Sequence, residues 1–120
     1  MASLNTFGAI LTHAIQLETS LHEFYERAGH ADRAKDADKR RQTMERIRRE
    51  AVLEITLEPI EGLDEADYAL ALDDTSSAGQ KTAESTAARF YADVAPKINV
   101  RQAQRALERA GKAHAALAES

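Results

Sequence analysis

Apolar residues recur at intervals of three and four along four stretches of the chain, and this spacing predicts four amphipathic helices. We predict these helices over 4–28, 32–57, 80–95 and 99–118. The clearest stripe is that of the fourth helix, formed by Val100, Ala103, Leu107, Ala110 and Leu117. Each helix therefore has one apolar face, which it must bury against the others.

The connections between the predicted helices differ in length. Gly29 predicts a short turn after the first helix, because glycine adopts the left-handed conformation of a helix end without a steric penalty. Pro96 breaks the third helix from the fourth. The segment 58–79 is much longer, and its apolar residues predict that it packs along the helices: Leu63, Tyr68, Leu70 and Leu72. We therefore predict a single all-α domain over 1–120, an antiparallel four-helix bundle with a long crossover between helices 2 and 3.

Composition narrows the classes of function. The chain has 120 residues, no cysteine and a net charge of −4. The absence of cysteine excludes disulfides, thiolate metal sites and cysteine nucleophiles. No apolar run is long enough to span a membrane, and no secretory signal pattern is seen, so we expect a cytoplasmic protein. The acidic balance argues against general nucleic-acid binding.

A short pattern occurs twice. In the first helix Glu18 is followed six and seven residues later by Phe24 and Tyr25, and in the third helix Glu84 is followed at the same distances by Phe90-Tyr91. This pattern resembles the ferritin-like superfamily, and rubrerythrin-like proteins in particular. The resemblance implies that one inward glutamate from the first helix of each pair, with a Glu-x-x-His motif from the second, holds two iron ions in the core.

The ligand set implied by the resemblance is incomplete in this chain. Glu18 and Glu84 match the inward glutamates, but the second helix has no Glu-x-x-His motif. In the fourth helix Gly111 stands three residues before His114, where the motif has glutamate. The candidate metal ligands are Glu18, Glu50, Glu84 and His114, with Glu54 and His22 as assistants. Their oxygen and imidazole donors suit iron or manganese.

Each candidate ligand also has a simpler interpretation. Glu18 interrupts an apolar stripe, and a buried carboxylate must be paired, protonated or bound to a metal. Its partner can be a metal ion or an arginine of the second helix, or it can reach solvent from the edge of the stripe. His114 lies on the stripe of the fourth helix and can be a hydrogen-bonded core residue. We predict that His13 and His30 are surface or turn residues, since neither has a partner at ligand spacing.

The segment 33–49 is strongly basic, with eight arginines and lysines: Arg33, Lys35, Lys39, Arg40, Arg41, Arg46, Arg48 and Arg49. Acidic residues are interleaved with them and no aromatic residue accompanies them. This favours a solvated helix face, or a surface for an acidic protein partner, over nucleic-acid binding.

With both Glu-x-x-His motifs missing, we expect a divergent ferritin-like bundle without a complete di-iron site. It would be a homodimer or partner-binding protein, without a cofactor and without enzymatic activity. The alternative is an iron- or manganese-binding carboxylate protein of the oxidase or peroxide-handling type.

Overall fold

The computed structural model describes residues 4, 6–50, 62–98 and 100–119. Within these residues the chain forms four α-helices: α1 over Phe7–Arg27, α2 over Ala31–Glu50, α3 over Ser77–Val94 and α4 over Arg101–Glu119. Two short 3-10 helices lie between the α-helices, over Glu65–Tyr68 and Ala95–Lys97. Helix α1 packs mainly on α2 and α3 mainly on α4, and α2 also contacts α4. The predicted all-α class with four packed helices is confirmed.

The ends of α1 follow the local signals in its sequence. The Thr6 side chain accepts a hydrogen bond from the backbone N–H of Ala9 at 3.0 Å, which satisfies a donor that the helix leaves free. At the other end Gly29 has a positive φ of 77°, and the next backbone N–H, that of His30, bonds to the carbonyl of Tyr25. Gly29 therefore follows the last turn of α1 in the left-handed conformation that the sequence predicts.

Helix α3 begins three residues earlier than the predicted 80, and the second helix is described only as far as Glu50, so its predicted residues 51–57 lie outside the described ranges. The early start of α3 has a local cause. The Ser76 side chain caps the helix by accepting from the N–H of Gly79 at 3.4 Å. The chain before the helix folds back tightly, so that a Cβ on residue 79 would lie 1.9 Å from the carbonyl oxygen of Asp74.

We expect Gly79→Ala to destabilise the protein by about 2 kcal/mol, because the added methyl group overlaps a backbone carbonyl that cannot rotate away. The matched control is Gly8→Ala, since a Cβ at Gly8 meets nothing within 4 Å. That control should stabilise the protein by about 0.5–1 kcal/mol, because it removes the helix penalty of glycine. Urea unfolding followed by circular dichroism measures both. Equal effects of the two substitutions would contradict the close approach at Asp74.

The described part of the crossing segment lies against the helices. Leu63, Leu70 and Leu72 are partly buried on the core, as their pattern suggested, and Tyr68 is buried. The Tyr68 hydroxyl donates a hydrogen bond to Asp93 at 2.8 Å, which attaches the segment to α3. Residues 58–61 of the predicted crossover lie outside the described ranges.

The core combines apolar faces from all four helices with three polar side chains that have no solvent exposure: Glu18, Glu84 and His114. In the part of the chain that the structure describes, no helix is both long and apolar enough to cross a membrane. The polar residues in the middle of the core are therefore the feature that needs a chemical explanation.

Candidate functional site

Three helices each contribute one fully buried polar residue to the centre of the core. Glu18 comes from α1, Glu84 from α3 and His114 from α4, and each is 0% exposed. All three lie on apolar stripes, so helix periodicity alone turns them inward. Burying two carboxylates and an imidazole without partners would cost several kcal/mol for each group. Their partners therefore decide what the cluster can do.

His114 joins the two carboxylates. Its Nε2–H donates to Glu18 Oε2 at 2.8 Å, and its Nδ1–H donates to Glu84 Oε2. Ionised carboxylates only accept hydrogen bonds, so both ring nitrogens carry a proton and the imidazole is positively charged. Burial alone would lower the pKa of His114, but the hydrogen bonds to Glu18 and Glu84 outweigh it and raise that pKa above its usual value. His114 is thus a buried imidazolium.

The two tyrosines of the repeated pattern exchange partners. Tyr25 on α1 donates to Glu84 Oε1 at 2.5 Å, whereas Tyr91 on α3 donates to Glu18 Oε2 at 2.6 Å. Each tyrosine therefore bonds the glutamate of the other repeat. Burial and the neighbouring carboxylates raise the pKa of both phenols well above the usual value, so both remain hydrogen-bond donors. The Glu…Phe-Tyr repeat thereby connects α1 and α3.

Helix α2 contributes the second positive charge. Arg40 Nε donates to Glu18 Oε1 at 2.9 Å, and the Arg40 side chain is 14% exposed. Burial alone would raise the pKa of Glu18, but His114, Arg40 and Tyr91 together hold it below its usual value. Two carboxylates face one guanidinium and one imidazolium, so the cluster is electrically neutral from protein side chains alone. We name this set the buried charge cluster: Glu18, Tyr25, Arg40, Glu84, Tyr91 and His114.

Gly111 explains how His114 reaches this position. The rings of Tyr91 and His114 are stacked, with centroids 5.5 Å apart and an interplanar angle of 5°. One turn earlier, a Cβ on residue 111 would lie 3.0 Å from the Cβ of Tyr91. Glycine therefore lets α4 approach α3 closely. A glutamate at 111 would force the two helices apart.

The structure brings three of the sequence-predicted ligands together, namely Glu18, Glu84 and His114. Glu50 does not join them, because it is exposed at the end of α2. His22 bonds through Nδ1 to the Ala34 carbonyl at 2.8 Å and through Nε2 to Glu26 at 2.9 Å, and takes no part in the cluster. Glu54 lies outside the described residues.

Arg40 is the cluster residue that sequence reasoning did not single out. An arginine of the second helix was one of the partners considered for Glu18, but no position was assigned. A signal exists: Arg40 continues the spacing of the buried residues Ala37, Met44 and Ile47, so it interrupts an apolar stripe as Glu18 does.

The buried charge cluster, as it is placed, does not fit a metal ion. All four carboxylate oxygens accept hydrogen bonds, and both imidazole nitrogens donate them. Within the described ranges, no three histidine, aspartate or glutamate side chains are placed to hold a metal ion together. Binding would require His114 to lose one of its two ring protons and Arg40 to leave Glu18, since a ligating nitrogen must be unprotonated and a guanidinium repels a dication.

The basic segment 33–49 divides into paired and exposed residues. Arg33 donates to Gln80 at 2.9 Å, Arg40 binds Glu18, and Arg41 forms ion pairs with Asp38 and Glu45. The exposed members are Lys35, Lys39, Arg46, Arg48 and Arg49. A positively charged surface therefore remains on α2, although part of the segment stabilises the fold.

A second histidine, His13, lies outside the cluster and is partly buried, deeper than the predicted surface or turn position. The His13 side chain is 14% exposed and packs on Phe90 with ring centroids 4.8 Å apart, because the 3-10 turn of the crossing segment lies over it. Among the described residues neither ring nitrogen has a hydrogen-bond partner, and Glu65 is 3.9 Å away. Burial lowers the pKa of His13, and the Glu65 carboxylate opposes this only in part.

Comparison of the chain with protein-family models, curated proteins and solved structures finds no match. The interpretation of the buried charge cluster therefore rests on its own geometry.

Proposed function

We propose that this chain is a divergent, antiparallel, ferritin-like bundle that works by self-association or partner binding, without a metal centre and without catalysis. The observation that carries the proposal is the contact between Arg40 and Glu18 in the core, 2.9 Å long. In the ferritin-like arrangement that the sequence resembles, metal cations neutralise the inward glutamates. Here a guanidinium and an imidazolium do so.

The two helix pairs support this interpretation in the same way. In the first pair, Glu18 of α1 is neutralised by Arg40 of α2. In the second pair, Glu84 of α3 is neutralised by His114 of α4. Each pair thus supplies one negative and one positive group. Replacing a metal by fixed protein cations gives a core whose charge is balanced at neutral pH, since arginine does not deprotonate there.

A surface between α3 and α4 is our candidate for self-association. Small and apolar residues line it: Ala88, Ala92, Ala95, Pro96, Gly111 and Ala115. Arg89, Glu108 and Lys112 lie at the same groove, so both signs of charge flank the small residues. In a two-fold pairing through this surface, Arg89 and Lys112 of each copy would be available to pair with Glu108 of the other. We propose a homodimer through this surface.

An iron- or manganese-binding protein is the second candidate. It is favoured by the convergence of Glu18, Glu84 and His114, which are residue types that ligate these metals. It requires Arg40 to swing away from Glu18 and His114 to become neutral. The two candidates therefore differ in whether the buried carboxylates prefer protein cations or metal cations.

One preparation tests both parts of the proposal. The purified protein is loaded anaerobically with Fe(II), desalted by size-exclusion chromatography with light scattering, and measured by elemental mass spectrometry. We expect less than about 0.1 iron per chain, because metal binding must displace two buried cations. We expect a mass of about 26.4 kDa, which is twice the 13.2 kDa of one chain, and the mass of one chain for Ala92→Glu.

Two double variants control the iron result. Glu18→Gln/Glu84→Gln removes the buried carboxylates, and Glu23→Gln/Glu26→Gln removes two exposed carboxylates of α1. About two irons per wild-type chain, absent only from the first double variant, would replace our proposal with the di-iron alternative. A one-chain mass for the wild type at high concentration would reject the homodimer.

A further inference from the structure

A groove between α2 and α4 is lined by three arginines. Arg40 and Arg46 come from α2 and Arg109 from α4, with Thr43, Ala106 and Ala110 among the other lining residues. The small side chains of α4 leave a groove of about 280 Å³. It is distinct from the α3–α4 surface and lies on the outer side of Arg40.

Arg40 is paired with the buried Glu18, but the charges of Arg46 and Arg109 are not balanced within the groove. Among the residues that the structure describes, none that lines the groove is acidic. Arg46 and Arg109 are exposed and make no ion pair with another described residue. Like charges held in one groove repel each other, so this arrangement favours binding of an anion.

Arg40 adds an unsatisfied donor. Its Nε binds Glu18, but its Nη2 is buried and has no hydrogen-bond partner among the described residues. A buried N–H without an acceptor destabilises the protein, and an acceptor brought by a ligand would remove that penalty. Arginine donors are also the groups best suited to the oxygens of phosphate, which accept from two N–H groups at once.

We propose that this groove binds a small oxyanion, a phosphate group free in solution or carried on a small molecule, between Arg46 and Arg109 with the Arg40 side chain in the groove wall. The volume is close to the lower end of ligand pockets, which suits a phosphate group better than a large ligand. Because Arg40 contacts both the groove and Glu18, it connects the oxyanion with the buried charge cluster. The test below uses metal-free protein, so its outcome does not depend on whether the core can take up metal.

The test is a titration of metal-free protein with inorganic phosphate at constant ionic strength, followed by NMR of the arginine Nε–H groups. We expect saturable binding with a Kd on the order of 1 mM, as for a ligand of a few heavy atoms. The Arg40 Nε–H resonance should shift with the same Kd. Glycerol 3-phosphate is titrated in parallel, to show whether the group is bound when carried on a small molecule.

Arg46→Gln and Arg109→Gln should each weaken phosphate binding by about fivefold or more, because each removes a charge-assisted hydrogen bond. The matched control is Arg101→Gln, which removes one exposed arginine of α4 that does not line the groove. It should change Kd by less than about twofold, since surface charges at a distance are screened by salt.

Three results would overturn the site: equal weakening by Arg101→Gln, no saturation below about 20 mM phosphate, or an Arg40 resonance that does not move while the groove binds. Saturable binding of a single-stranded oligonucleotide without a response to phosphate would also overturn it, in favour of nucleic acid. Iron uptake by the same protein would contradict only the proposed metal-free core, and it would not change the result of the phosphate titration.

Discussion

Replacing His114 with leucine should lower the free energy of unfolding by about 3–5 kcal/mol at about pH 6 in metal-free buffer, because it leaves buried charge without its partner. Glu18 and Glu84 would then share the core with a single cation, Arg40. One of the two carboxylates would have to take up a proton or remain uncompensated in the dry core. Urea unfolding followed by circular dichroism gives the loss directly.

Two further variants separate charge from packing. His22→Leu is the matched control, since the His22 side chain is 32% exposed and bonds Glu26 at the surface. Because it also loses the hydrogen bond from Nδ1 to the Ala34 carbonyl, it should lower the free energy of unfolding by about 1 kcal/mol, well below the loss for His114→Leu. His114→Leu/Glu84→Gln should recover about half of the loss, because the amide removes the excess negative charge.

Two results would contradict the interpretation that the charge of His114 stabilises the core. A loss below about 1 kcal/mol for His114→Leu would mean that the imidazolium does not hold the two carboxylates together, since buried ion-pair breakage is larger than that. If Glu84→Gln brought no recovery, the loss would come from packing against Tyr91 alone.

Stability should be greatest near pH 6.5 and fall on both sides, because the buried His114 and the partly buried His13 have pKa shifts of opposite sign. The pKa of His114 is raised in the folded protein, so its contribution is complete below the unfolded value of about 6.5 and is lost as pH rises through the folded pKa. The pKa of His13 is lowered, so the unfolded chain takes up the proton first as pH falls below about 6.5. The free energy of unfolding therefore also falls on the acid side of the maximum.

The change of the free energy of unfolding with pH has an upper limit on each side of the maximum. A difference of one bound proton between the folded and unfolded states changes the free energy of unfolding by about 1.4 kcal/mol per pH unit. Above about pH 6.5 the folded state holds the extra proton, and below it the unfolded state does. Glu18 adds to the acid side: its pKa is lowered, so its contribution is lost as pH falls below about 4.5 through the folded pKa.

Urea titrations across the pH range, for the wild type and two single variants, assign the slopes. His114→Leu should abolish most of the decline above pH 6.5 and keep the acid-side decline. His13→Leu should do the opposite. If His114→Leu left the alkaline side unchanged, the imidazole would not be the group that holds the extra proton in the folded state.

The spacing of apolar residues along the chain determined much of the secondary structure of this protein. Apolar spacing predicted four helices. Gly29 follows α1 because it has no Cβ to oppose a positive φ, and Ser76 begins α3 because its hydroxyl caps the helix. The same spacing turned Glu18, Glu84 and His114 toward the core, since a residue that falls on an apolar stripe has little choice of direction once the stripe is buried.

Only the tertiary structure decided which groups meet. The exchange of Tyr25 and Tyr91 between the two glutamates depends on the axial positions of α1 and α3, which the spacing within one helix cannot give. Arg40 could have extended to solvent, because long basic side chains often bury only their stems. It pairs with Glu18 because α2 packs on α1. His13 is partly buried because a segment some fifty residues later in the chain lies against it, and long-range packing of that kind leaves no local pattern.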